Sequence, residues 1–114
     1  ADTIVGTPYF MAPEVQQGKA YTFSSDVWSL GVLIYYMCTY EMPFEAESDK
    51  ELQEKRNAGH YKAMERSSEG LANLVSLMLQ KDPTKRPTAD ELLGSAIMKE
   101  HLWRILKGLN IDRV

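Results

Sequence analysis

The stretch Ser25-Asp26-Val27-Trp28-Ser29-Leu30-Gly31-Val32-Leu33-Ile34-Tyr35-Tyr36-Met37 decides the fold. Ser24 or Ser25 can cap a helix that runs through Asp26 to about Thr39, with the Asp26 carboxylate near the positive end of the helix dipole. Val27, Trp28, Leu30, Val32, Leu33, Ile34, Tyr35, Tyr36 and Met37 leave no polar stripe on it, which predicts a helix buried on all sides. The span is short and interrupted by Ser29 and Gly31, so it does not match a membrane crossing. It reads as the central axis, residues 24–40, of a helical domain.

On the N-terminal side, Pro13 near a start and Gly18 near an end predict a helix of about two turns, with Glu14 in its first turn. On the C-terminal side, Ser48 and Glu51 form a capping-box pattern for a polar surface helix through about Ala58. Leu71, Leu74, Val75, Met78 and Leu79 then recur at helical spacing, giving an apolar face to pack on the central helix. Asp82-Pro83 stops that helix. Thr88 and Glu91 form a second capping box, opening a helix through Leu92 and Leu93 that breaks near Gly94 and continues with Ile97, Leu102, Ile105 and Leu106. With no strand pattern, repeat or low-complexity tract, the 114 residues are expected to form one all-α unit of five or six helices.

The composition, 44% hydrophobic and 25% charged, fits a globular domain. A net charge of −3 argues against nucleic acid or an anionic membrane as the main partner and leaves a protein or peptide partner open. Cys38 is the single cysteine, which excludes an internal disulfide, suits a reducing cytoplasm or nucleus, and is expected to be a buried thiol. His60 and His101 stand far apart with no cysteine or carboxylate at ligand spacing, so no metal site is expected. A start at Ala1-Asp2-Thr3, with neither Met nor a signal-peptide pattern, reads as an internal segment.

Three blocks in one order carry a resemblance: Gly6-Thr7-Pro8-Tyr9-Phe10-Met11-Ala12-Pro13-Glu14, then Ser25-Asp26-Val27-Trp28-Ser29-Leu30-Gly31, then Asp82-Pro83-Thr84-Lys85-Arg86-Pro87. Together they resemble the C-terminal helical lobe of a eukaryotic-type serine/threonine protein kinase, from the end of the activation segment (residues 1–18), through the central helix and the peripheral helices (48–93), to a C-terminal helix or tail (94–114). The whole domain of that family is α+β. Tyr36-Met37-Cys38-Thr39 and Pro43-Phe44-Glu45-Ala46 look most like the NIMA-related kinases, a group linked to mitosis, centrosomes and cilia. A kinase-kinase-kinase or a calcium/calmodulin-type relative stays open, since Ala12 stands where the NIMA-related group often has Ser and Val32 where it often has Cys.

The resemblance implies roles for particular residues. Gly6, Thr7, Pro8, Tyr9 and Phe10 would form the substrate-docking loop, with the Thr7 hydroxyl bonding the catalytic Asp and its neighbouring Lys. Thr3 has the spacing of an activating phosphothreonine. Glu14 and Arg86 would form a buried bidentate ion pair pinning that loop to the helical core. Asp26 would accept backbone N–H bonds from the catalytic loop. The Gly-rich loop, the Val-Ala-Ile-Lys strand, the His-Arg-Asp loop and the Asp-Phe-Gly motif do not occur in these 114 residues. The segment is therefore expected to be inactive alone and to bind neither ATP nor Mg²⁺, both of which belong to the whole domain. Expected partners are a protein substrate and the N-terminal part of the domain, with an uncovered face of the central helix favouring oligomers or domain exchange. The competing reading is a non-catalytic kinase-like interaction module.

Overall fold

The computed structural model describes residues 8–108. Thr3, Gly6 and Thr7 lie outside the described residues. The chain runs through a 3-10 turn at Pro8–Phe10, α1 (Pro13–Gln16), α2 (Phe23–Thr39), α3 (Asp49–Ala58), α4 (Glu69–Met78), a second 3-10 turn at Pro83–Lys85, α5 (Ala89–Gly94) and α6 (Ala96–Gly108). Among the described residues there is no strand, and no helix is long and apolar enough to cross a membrane.

Local chemistry sets the boundaries, in places differently from the sequence expectation. α1 is one turn, not two: the chain leaves the helix at Gln17, and Gly18 adopts φ +88°, where a side chain would be strained. α2 starts two or three residues earlier than a cap at Ser24 or Ser25 would give. Thr22 is its N-cap, and the Thr22 amide donates to the Ser25 hydroxyl at 3.1 Å, so Ser25 serves inside the first turn. α3 and α4 open on Ser48 and Ser68, whose hydroxyls accept from the amides of Glu51 and Leu71 at 3.2 Å each. At α5 the exchange is reciprocal: the Glu91 amide donates to Thr88 at 3.1 Å and the Thr88 amide to the Glu91 carboxylate at 2.9 Å. Ser95, in extended conformation, separates α5 from α6.

Helix α2 is the axis, but it buries one face only. Val27, Trp28, Gly31, Val32 and Tyr35 are buried, whereas Leu30, Leu33, Tyr36 and Met37 are exposed, Met37 to 65%. The uniform hydrophobicity that predicts burial on all sides thus resolves into a packed face and an uncovered one. The main core joins Ala12, Trp28, Val32, Tyr35, Phe44, Leu52, Met64, Val75 and Leu79, and a second cluster joins Val27, Leu74, Met78 and Leu92. Trp28 stacks on Phe44 at 5.7 Å, and Tyr61 meets the edges or faces of Phe44 and Tyr35 at 5.8 and 5.4 Å. Cys38 is half-buried, packed against the margin of this core in the last turn of α2 rather than fully enclosed. α3 is not purely a surface helix either, since Leu52 and Arg56 are buried.

Helices α2 and α4 approach at Gly31. A Cβ placed there would lie 2.9 Å from Cβ of Met78 and 3.1 Å from Cδ2 of Leu79. The Met78 Cβ is fixed to the α4 backbone and cannot rotate away. Gly31→Val is therefore expected to destabilise the protein by about 1–3 kcal/mol through overpacking, despite removing a helix-interior glycine. A thermal melt that keeps the wild-type midpoint would show that the two helices can separate at no cost.

Candidate functional site

Helix α1 carries Glu14 into the interior. Pro13 fixes the first φ, and the carboxylate of the next residue, 7% exposed, meets Arg86, 4% exposed, 72 positions further along the chain. Nη1 of Arg86 donates to Oε2 of Glu14 at 2.8 Å and Nη2 donates to Oε1 at 2.8 Å. The remaining donors go to main-chain carbonyls: Nη1 to Ser24 at 2.9 Å, Nη2 to Lys81 at 3.2 Å and Nε to Gln80 at 2.8 Å. All five guanidinium N–H groups are thereby used. The guanidinium also lies over the Trp28 ring, 5.1 Å from its centroid. On the acid side, the Ser25 hydroxyl donates to Oε2 of Glu14 at 3.1 Å. Burial pushes the Glu14 carboxyl up, but hydrogen bonds from Arg86 and from its own amide, the Arg86 charge and the Ser25 hydroxyl outweigh it. The carboxyl is held below its ordinary value of 4.5.

A second arginine holds α1 from the other side. Arg56 of α3 is fully buried and donates from Nη1 to Oε1 of Gln16. Burial lowers its pKa to about 10, opposed by the Asp49 charge, so it stays protonated at neutral pH. Gln16 donates to the Asp49 carbonyl at 2.9 Å, and Gln53 to the Pro13 carbonyl at 3.4 Å. Read as a sequence, Arg56 sits in a charged helix and gives no sign of burial. Its i−4 neighbour Leu52, the one apolar residue of that helix besides Ala58, is the signal that marks the inward face.

Tyr9 and Phe10 form the turn that precedes α1. Oγ of Ser29 on α2 donates to the Phe10 carbonyl at 2.6 Å, and the Tyr9 hydroxyl donates to the Ala46 carbonyl at 3.2 Å. Beside this turn, a cavity of about 510 Å³ opens between α1 and α3, with Met11, Val15 and Gln53 in its lining. Asp26 is exposed in the first turn of α2, and its Oδ1 accepts from the Tyr21 hydroxyl. That hydrogen bond, with burial and the carboxylate charge, raises the Tyr21 pKa. The structure thus brings Tyr9, Phe10, Glu14 and Arg86 around α1 and places Asp26 on the exposed side of α2. Among the described residues, no group of His, Cys, Asp or Glu side chains converges as a metal site would require.

A central helix, a one-turn helix led by Pro-Glu, and an arginine that reaches back to that glutamate define a kinase-type helical lobe. The protein kinase domain family model matches residues 1–98, and the chain belongs to that family. Its similar proteins include Nek serine/threonine kinases. It is 47% identical over 95 residues to a probable serine/threonine-protein kinase nek2 of Dictyostelium discoideum, covering 82% of this chain and 23% of the relative. It is 40% identical over 101 residues to serine/threonine-protein kinase Nek2 of Mus musculus (88% of this chain, 23% of the relative). Against Nek9 of Xenopus laevis it is 37% identical over 107 residues (91% and 11%). The chain thus spans less than a quarter of the length of these curated relatives. Protein kinases use ATP with Mg²⁺ and act on protein substrates.

Proposed function

We propose that these residues form the substrate-facing helical part of a serine/threonine protein kinase, which transfers the γ-phosphate of ATP to a Ser or Thr hydroxyl of a protein. The observation that carries this reading is the five-donor Arg86 site on Glu14, which locks α1, and with it the Tyr9–Phe10 turn, to the core. Gly6, Thr7, Pro8, Tyr9 and Phe10 receive the substrate backbone, and the cavity beside Met11 and Val15 receives an adjoining substrate side chain. Thr7 positions the general base, Thr3 is the regulatory phosphosite, and Asp26 anchors the catalytic loop in exchange for its bond to Tyr21. ATP and Mg²⁺ are held by residues outside these 114. The exposed row Leu30, Leu33 and Met37 on α2 receives the rest of the domain, from the same chain or by exchange with a second copy.

The test is transfer of labelled phosphate by the full-length protein to a generic serine-containing substrate. Thr7→Ala is expected to lower kcat by about 10²-fold through misplacement of the base, with KM for ATP little changed. Thr3→Ala is expected to reduce activity, and Thr3→Glu to restore part of it. No transfer by a folded full-length protein would favour the competing reading, a kinase-like interaction module without chemistry.

A further inference from the structure

A second cavity, of about 530 Å³, lies between the end of α1 and the 3-10 turn Pro83–Lys85. Half-buried Pro83 contributes apolar surface to it above the buried Pro13, and Lys19, Lys81 and Lys85 stand around it. All three lysines are exposed, and none forms an ion pair among the described residues. The nearby carboxylates offset them only in part. Glu14 is taken by Arg86, and the exposed Asp82, whose Oδ1 accepts from the Thr84 amide at 2.9 Å and the Thr84 hydroxyl at 2.7 Å, shares its charge between Lys85 and Arg86. The groove therefore holds an excess of positive charge on a chain whose net charge is −3.

The walls are also fixed in advance. Gly18 at φ +88° turns the chain out of α1 toward Lys19, while Asp82 caps the turn that presents Lys85. Arg86 then ties the two walls together, since one guanidinium holds Glu14 on α1 and the carbonyls of Gln80 and Lys81 on the other side. A ligand meets charges on a frame already ordered, which lowers the entropy cost of binding.

From this arrangement we infer that the groove binds an extended acidic segment of a partner protein. Its carboxylates pair with Lys19, Lys81 and Lys85, and an apolar side chain lies on Pro83. The lysines are separate, exposed point charges, and Arg86, the guanidinium at the groove, has no donor left for a bidentate phosphate contact. Carboxylates distributed along a peptide match such an array better than one compact anion does. A polyanionic nucleic acid would meet the net negative charge of the surrounding chain. The site lies apart from the Tyr9–Phe10 turn, and its occupancy does not depend on phosphate transfer.

The experiment is fluorescence anisotropy with the full-length protein and a labelled octapeptide of alternating glutamate and valine. Saturable binding is expected, with the affinity falling about ten-fold in the Lys81→Glu/Lys85→Glu variant and with rising salt, and retained in Lys81→Arg/Lys85→Arg. Circular dichroism checks that both variants fold, as exposed substitutions should. Equal binding of the glutamine-valine peptide, unchanged affinity after charge reversal, or preference for a single-stranded oligonucleotide would overturn the assignment. Full displacement by millimolar inorganic phosphate would make the groove a simple anion site and overturn the peptide reading. A protein that transfers phosphate but does not bind the peptide refutes the groove and leaves the kinase reading intact.

Discussion

Arg86→Ala is expected to cost about 3–5 kcal/mol of stability, because it strands the buried Glu14 carboxylate and frees three carbonyls that the guanidinium caps. Charge alone will not rescue it. Arg86→Lys keeps the cation but presents no planar fork, so it is expected to recover only a minor part of the loss. The pH dependence distinguishes this mechanism from simple loss of packing. In the wild type the folded Glu14 pKa lies below its ordinary 4.5, so its contribution is fully present above about pH 4.5 and is lost as the pH falls through the folded value. In Arg86→Ala the arginine's hydrogen bonds and charge are gone while burial remains, offset only by the Ser25 hydroxyl and the Glu14 amide, so the carboxyl shifts upward and its protonation relieves strain. The stability gap between the two proteins should thus narrow from pH 7 to pH 4 in urea titrations. A gap that stays constant would mean that the pair contributes packing and not charge.

Trp28→Ala is expected to be as damaging, by about 3–5 kcal/mol, since the ring is fully buried between Phe44 and the Arg86 guanidinium. Its loss opens a cavity under the ion pair, so the two substitutions should be less than additive in a double-mutant cycle. Trp28→Phe should cost much less. The indole N–H has no partner among the described residues, so replacing it forfeits no hydrogen bond. Denaturation followed by far-ultraviolet circular dichroism, which does not rely on tryptophan signal, measures both. Additive losses in the double variant would show that the Trp28 ring and the Arg86 site are independent.

Both predictions matter for function through position. Glu14 and Arg86 hold α1, and with it one end of the Tyr9–Phe10 turn, which Ser29 of α2 ties down independently. On the kinase reading proposed above, a variant of the full-length protein that stays folded at low temperature should lose phosphate transfer through misplacement, with kcat falling more than the affinity for nucleotide.

The sequence by itself determined the helices whose information is local. Thr88 with Glu91, Ser48 before α3, the apolar spacing of Leu71 to Leu79 and the break near Gly94 all act within one or two turns of chain, so their chemistry is legible without a fold. The pairing of Glu14 with Arg86 was legible only through family resemblance, since nothing in either residue specifies a partner 72 positions away. Tertiary structure decided the rest. Composition marked α2 as apolar all round, but which face it buries depends on where α4 and the Phe44 loop pack, and that leaves Leu30, Leu33 and Met37 open. Arg56 in a charged helix became a buried clamp because Gln16 of α1 lies against it. The lysine groove, too, exists because Arg86 draws two distant loops together. Helix caps and hydrophobic periods are written in near neighbours, whereas burial, ion pairs and grooves arise from residues far apart in sequence, which only the packed chain brings within reach.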